Sequence, residues 1–269
     1  MRLIEQALTS KTGNSEDCED TLVFTSDFAA VIDGVTDKAG RLFSGMTGGR
    51  FVAQVLARTI SGLPSDTTCK EAVLTMTQTI AGHLPDDLPI SERPGAVATI
   101  YSARRREVWQ IGDTGYWYEG LSPVRAPKHV DEITVAMRTA VVRAELLNGR
   151  ESHELLADDV GRAAILPLLR RQSVFANNPA ADDLAYAVID GRDVPMSLIE
   201  VIPVPESIRV LVLASDGYPR IFPTLQETEA SLRQLLIQDP LCIGPLAGTK
   251  GVRPGNVGYD DRAYLRIAV

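Results

Sequence analysis

"FAAVIDG" (residues 28–34) reads as a strand with two apolar faces that stops on a carboxylate and a glycine. The unbroken run from Phe28 to Ile32 marks a strand buried on both sides. Asp33 closes it, and Gly34 lets the chain turn. The same grammar recurs in "REVWQIGDTGYWY" (106–118) and "VLVLASDGYP" (210–219). In "YDDRAYL" (259–265) the acids stand just ahead of a strand. Taken singly, Asp-Gly is more often a turn dipeptide than a ligand pair. Repeated at the ends of several strands, it points to a site where those ends meet. A glycine there can bring its carbonyl close to a ligand. Hard divalent cations such as Mg2+ or Mn2+ take oxygen ligands of this kind.

Outward from this strand, "TLVF" (21–24) forms a partner strand across the turn Thr25-Ser26-Asp27. Apolar residues at helical spacing predict helices over 44–62 and 69–84, followed by a proline-rich loop over 84–95. Residues 96–120 alternate and contain two turns, which predicts a meander of three strands. Helical patterns cover 131–149 and 152–172, the second interrupted near Gly161 and Pro167. "LAYAVIDG" (184–191), "MSLIEVIPV" (196–204) and "IRVLVLAS" (208–215) read as strands. Thr224 and Glu227 form a capping-box pattern ahead of a helix to Gln238, and "RAYLRIAV" (262–269) is a closing strand. Strands come in runs and so do helices, which predicts an α+β fold with antiparallel sheets. Helix pairs over two stacked sheets would bury both inner faces.

The chain has 269 residues, 45% hydrophobic and 23% charged, enough for a sizeable core. Its net charge of −8 argues against nucleic acid or an anionic membrane as partner. Cys18, Cys69 and Cys242 are far apart and lack CxxC spacing, so neither a disulfide framework nor a zinc site is expected. Few cysteines and no apolar leader segment suit a cytoplasmic location. The longest apolar runs are strand-sized, far short of the roughly 20 residues of a membrane span.

The ordered set "CED" (18–20), "VIDG" (31–34), "IGDT" (111–114), "ASDG" (214–217) and "YDDRAYL" (259–265) resembles the metal-dependent protein phosphatases of type 2C, across nearly the whole chain. The resemblance implies a four-layer αββα sandwich, with residues 1–269 as one domain and 150–195 as a candidate flap or insert. It implies two Mg2+ or Mn2+ ions and a third, looser one near Asp113. Asp33 would bridge two ions, and Gly34 would offer its carbonyl. Asp216 and Asp260 would complete one shell, with Asp261 beside them. Glu19 and Asp20 would orient water on the ions; the rival acidic pair is Glu16-Asp17 in "NSED" (14–17). Two ions sharing a water can lower its pKa and neutralise charge on a transferring phosphoryl group. Serine or threonine phosphoproteins are then the expected substrates.

Some positions depart from the family pattern. Ser15 stands where many members carry a phosphate-holding Arg, and "VTDK" (35–38) replaces Gly-Gly-His. Lys11 and Lys38 are the candidate phosphate-binding residues, though a lysine lacks the guanidinium fork. His83, His129 and His153 lie outside the motifs and read as surface residues. "ARRRE" (103–107) reads as a solvated hairpin turn, and "GMTGGR" (45–50) as helix packing without a P-loop lysine. Lys250 and Arg253 lie on a loop that could reach phosphate. Alternative readings are a weakly active or inactive regulatory binding module, and a hydrolase of small phosphate esters.

Overall fold

The computed structural model describes residues 1–36, 40–121, 124–125 and 128–269. In chain order the strands and helices begin with β1 (Arg2–Thr9), β2 (Thr21–Phe24), β3 (Phe28–Gly34), β4 (Leu42–Phe43), β5 (Met46–Thr47), α1 (Gly48–Ser61) and α2 (Cys69–Ala81). Then come β6 (Ala96–Ser102), β7 (Glu107–Ile111), β8 (Gly115–Tyr118), β9 (Val124–Arg125), α3 (His129–Leu147), α4 (Ser152–Ala157) and α5 (Val160–Arg171). The last are β10 (Ile199–Pro203), β11 (Val210–Ala214), α6 (Leu225–Gln238) and β12 (Arg262–Ala268).

Two five-stranded antiparallel sheets result, in the orders β10-β7-β6-β3-β2 and β1-β12-β11-β8-β9, beside the short β4–β5 pair. The apolar run in β3 has its cause here: β3 lies inside its sheet between β2 and β6, and both faces are covered. Phe28, Ala30 and Ile32 join Leu56, Ile60 and Met76 in a core beneath α1 and α2. Ala29 and Val31 face the other way, into a core with Leu211, Leu213 and Leu265 of the second sheet. Strand alternation puts Asp33 on that second face, where the core between the sheets ends. On the outer side of the second sheet, Val212 and Tyr264 pack against Leu232 of α6. The layers are helices, sheet, sheet, helix, in agreement with the αββα expectation.

Four expectations need correction. The meander breaks after its second strand: β8 leaves β7 and pairs with β11 of the other sheet. The crossing is made at Gly112, whose φ of +84 suits a residue without Cβ. An added Cβ there would stand 2.3 Å from Val97 Cγ1. "LAYAVIDG" is not a strand. It makes only isolated bridges, Ala96 to Ile189 and Ala176 to Tyr186, and the Asn177 side chain takes the place of a ladder at Val188. The helix expected from residue 44 starts at Gly48, behind the short β4–β5 pair. The break in the next helical stretch falls at Asp158-Asp159, and Pro167 lies inside α5. β1, which no sequence pattern announced, pairs with β12. At α6 half of the capping box forms: Thr224 accepts from the Glu227 amide at 3.2 Å, and the Glu227 carboxylate accepts the Thr224 hydroxyl at 2.7 Å.

Candidate metal centre

The ends of β3, β11 and the β7–β8 crossing open onto one cleft of about 690 Å3. Asp33, Asp113, Asp216 and Asp260 line it, as does Gly34. Gly34 sits so close to α1 that an added Cβ would lie 2.5 Å from the Gly49 carbonyl oxygen and 2.6 Å from that of Glu19. Gly49 of "GMTGGR" thus serves helix packing, as expected, whereas Gly45 has open space around it. Asp20 lies buried behind Asp33. Burial pushes the Asp33 carboxyl well above the usual carboxylate range, and Asp20, Asp216, Asp260 and Asp113 add to the effect. Asp20 is raised likewise by burial and by Asp216, Asp260 and Asp261, against a hydrogen bond from Ser215. Asp20 Oδ2 is buried without a hydrogen-bond partner.

The rival residues in the acidic motifs take different positions. Glu19 and Asp20 are buried at the cluster, whereas Glu16 and Asp17 are exposed. Asp260 lines the cleft; Asp261 is turned inward. Asp261 accepts the Lys11 amide at 2.8 Å and the Glu19 amide at 3.1 Å, and pairs with Lys11 Nζ at 2.9 Å. It ties the chain just beyond β1 to the acidic pair. Lys11 does not line the cleft as a phosphate holder would. Its ammonium sits among Asp261, Glu19 at 3.4 Å and Asp260 at 3.9 Å. Burial opposes that charge, but the three acids outweigh it and hold Lys11 above its ordinary range. Lys38 lies outside the described residues. The three histidines are exposed, in agreement with the sequence reading.

Cations surround the acids; the sequence reading offered Lys250 but passed over Lys128, Arg162 and Arg192. Lys128 lines the cleft, 3.9 Å from Asp113 and 2.9 Å from Asp131, with its ammonium 4.7 Å from the Tyr186 ring centroid. Arg162 and Arg192 also line it. Lys250 Nζ stands 2.7 Å from Asp260 Oδ2. One signal for a related residue was available. Arg138 occupies the apolar stripe Val130, Thr134, Arg138, Val142 of α3, where a charge must be paired. The cysteines give no nucleophile: all three are buried, and burial pushes each thiol up to about 12, helped at Cys18 by Asp20 and Asp261.

Among the described residues no set of three or more Asp, Glu, His or Cys side chains is arranged to hold a metal ion as it stands. The donor chemistry nevertheless fits a hard divalent cation. The donors are carboxylate oxygens, crowded enough to help raise the pKa values of Asp20 and Asp33, and one buried oxygen lacks a partner.

No family profile and no curated protein matches the chain in sequence. Solved structures match it in fold. A bacterial serine phosphatase aligns with a TM-score of 0.50 and 10% identity, over 98% of this chain and 96% of that one. The serine/threonine phosphatase PstP/Ppp of Mycobacterium tuberculosis aligns at 0.49 and 14% identity, over 100% and 99%. Phosphatase Stp1 of Staphylococcus aureus aligns at 0.49 and 9%, over 100% and 95%. At 10% identity the likeness to the bacterial serine phosphatase is one of fold, and this chain has that fold.

Proposed function

We propose that this chain is a divalent-metal-dependent phosphohydrolase acting on phosphoserine or phosphothreonine in proteins, with residues 1–269 working as one catalytic domain in the cytoplasm. The observation that carries the reading is the meeting of Asp33, Asp113, Asp216 and Asp260 at one cleft, with Asp20 buried behind them and one of its carboxylate oxygens left unpartnered. Asp33, Asp216 and Asp260, with the Gly34 carbonyl, would hold two Mg2+ or Mn2+ ions. Asp113 would serve a third, and Glu19 and Asp20 would support the cluster from behind. Bound divalent ions supply Lewis acidity and a nucleophile from water at neutral pH.

The chain's own residues do the rest. The strand ends that carry them bring the carboxylates to one cleft, and Asp261 and Lys11 hold the end of β1 against the acidic pair. A cleft of about 690 Å3 falls in the range of ligand sites. Lys128, Arg162 and Lys250 give its lining the positive charge a phosphorylated substrate needs. Among the described residues no helix is long and apolar enough to cross a membrane.

The test is hydrolysis of para-nitrophenyl phosphate and of a phosphothreonine peptide, with and without Mn2+, by the wild type and Asp216→Ala. Manganese-dependent turnover lost in the variant supports the proposal. Cleavage of the small ester alone redirects it to small phosphate esters. No turnover by a protein shown to bind Mn2+ refutes it in favour of a binding module.

A further inference from the structure

Residues 239–261, between α6 and β12, contain no helix or strand. The first half of this segment is nonetheless fastened at many points. The Asp239 carboxylate accepts the amides of Ile243, Gly244 and Leu246 at 3.0, 2.7 and 2.9 Å. Arg138, which is 1% exposed, donates to the carbonyls of Leu241, Cys242 and Gly248 at 2.9, 2.8 and 3.1 Å. Its remaining donors go to Asp159 at 2.8 to 3.2 Å. Asp159 in turn accepts the Gly251 amide at 3.1 Å, and Arg162 donates to the Thr249 carbonyl at 2.9 Å. Both neighbours of Lys250 are therefore pinned, and Lys250 is delivered into the cleft at Asp260.

Burying a guanidinium is costly unless it is paired and hydrogen-bonded throughout. An ordinary surface loop has no use for such a device, whereas a loop that must present one charge at one place does. Free lysine stems lose rotamer entropy on binding, and a fixed backbone lessens what remains to be ordered. Lys11, the other ammonium at Asp260, is already held by Asp261 and Glu19. Ser15 offers no charge. An ammonium has three donors, and Asp260 accepts one of those of Lys250.

We propose that Lys250 holds the phosphoryl oxygens of the substrate, and that Arg138, Asp159 and Arg162 are positioning residues that present it. The assignment rests on the phosphohydrolase reading for its substrate, and it is tested apart from turnover. Inorganic phosphate is titrated by calorimetry into the Mg2+-loaded wild type, Lys250→Met and Lys250→Arg, with melting temperatures recorded for each. Loss of a charged hydrogen bond weakens phosphate binding in Lys250→Met by roughly tenfold or more. Lys250→Arg restores most of it, and both variants melt close to the wild type.

Asp159→Asn keeps an acceptor for the start of α5 and loses the charge that holds Arg138. It weakens phosphate binding in the wild type and changes nothing further in Lys250→Met, a coupling that simple destabilisation does not produce. Should Asp159→Asn fail to fold, the comparison of Met with Arg at position 250 still decides.

Phosphate affinity within twofold of wild type in Lys250→Met overturns the proposal. So does a wild type that binds no phosphate. Tighter Mg2+ binding in Lys250→Met with phosphate affinity unchanged overturns it too, and makes Lys250 a counter-ion of Asp260. Failure of the hydrolase reading looks different: the wild type turns nothing over with Mn2+, whatever position 250 holds.

Discussion

Gly217→Ala is the perturbation with the most direct structural magnitude. Gly217 follows Asp216 beyond the end of β11, and a Cβ there would stand 1.9 Å from the Asp261 carbonyl oxygen and 2.8 Å from Arg262 Cβ. Ordinary contact begins at 3.4 Å, so the two segments must part by about 1.5 Å, the difference between 3.4 and 1.9. The obstructing atom is backbone, with no flexible end to swing aside. Each segment carries a candidate ligand next to the clash: Asp216 on one side, Asp260 on the other. Overpacking of this kind costs about 1–3 kcal/mol. For a domain of this size that lowers Tm by roughly 3–10 °C. Misplacing reactive groups by an ångström or more costs on the order of 100-fold in rate. Melting followed by circular dichroism, and Mn2+-dependent hydrolysis of para-nitrophenyl phosphate, read the two effects. Gly62→Ala is the control: its φ is −96, and the nearest atom to its Cβ would be 3.6 Å away, so Tm stays level or rises slightly. A Gly217→Ala protein with wild-type Tm and wild-type turnover would refute the claim that this junction is closely packed and holds the carboxylates in place.

Three further predictions concern charge. Asp20 and Asp33 have raised pKa values, so their contribution to stability is fully present below the unfolded carboxylate value of about 4 and is lost as pH rises through the folded values. The metal-free protein therefore loses Tm as pH is taken up from about 5 to 8, and Mn2+ at pH 8 restores it; a flat metal-free profile sinks the argument. Asp33→Asn removes one of the repelling charges: at pH 8 the metal-free variant melts about 2–6 °C above wild type while Mn2+-dependent turnover disappears. Arg138→Met strips the partners from Asp159 and from three carbonyls of the 241–248 segment; urea titration should show a loss of about 3–5 kcal/mol, and a loss under 1 kcal/mol contradicts the clamp.

What could be read from residues alone divides along a physical line. β3 was legible because a strand inside its sheet, covered on both faces, has no choice but to be apolar throughout, and Asp33 breaks the run where the core stops. The acidic motifs were legible for the same reason, since each interrupts a strand that burial makes conspicuous. β8 was recognisable as a strand, but nothing in "GYWY" says which sheet it joins; that depends on the positive φ of Gly112. β1 escaped notice because its exposure alternates weakly, with polar residues on both faces of "RLIEQALT". "LAYAVIDG" misled because β-propensity measures fit to a half-buried surface, and here Asn177 supplies the bonds that a neighbouring strand would otherwise make. The cations are the hardest case. Lys250 meets Asp260 from a loop whose carbonyls are gripped by Arg138, more than 100 residues earlier. Local pattern carries no trace of that distance. A carboxylate site is announced by the strands that end in it, whereas the group that would meet the substrate's phosphate is placed by a contact that exists only once the chain has folded.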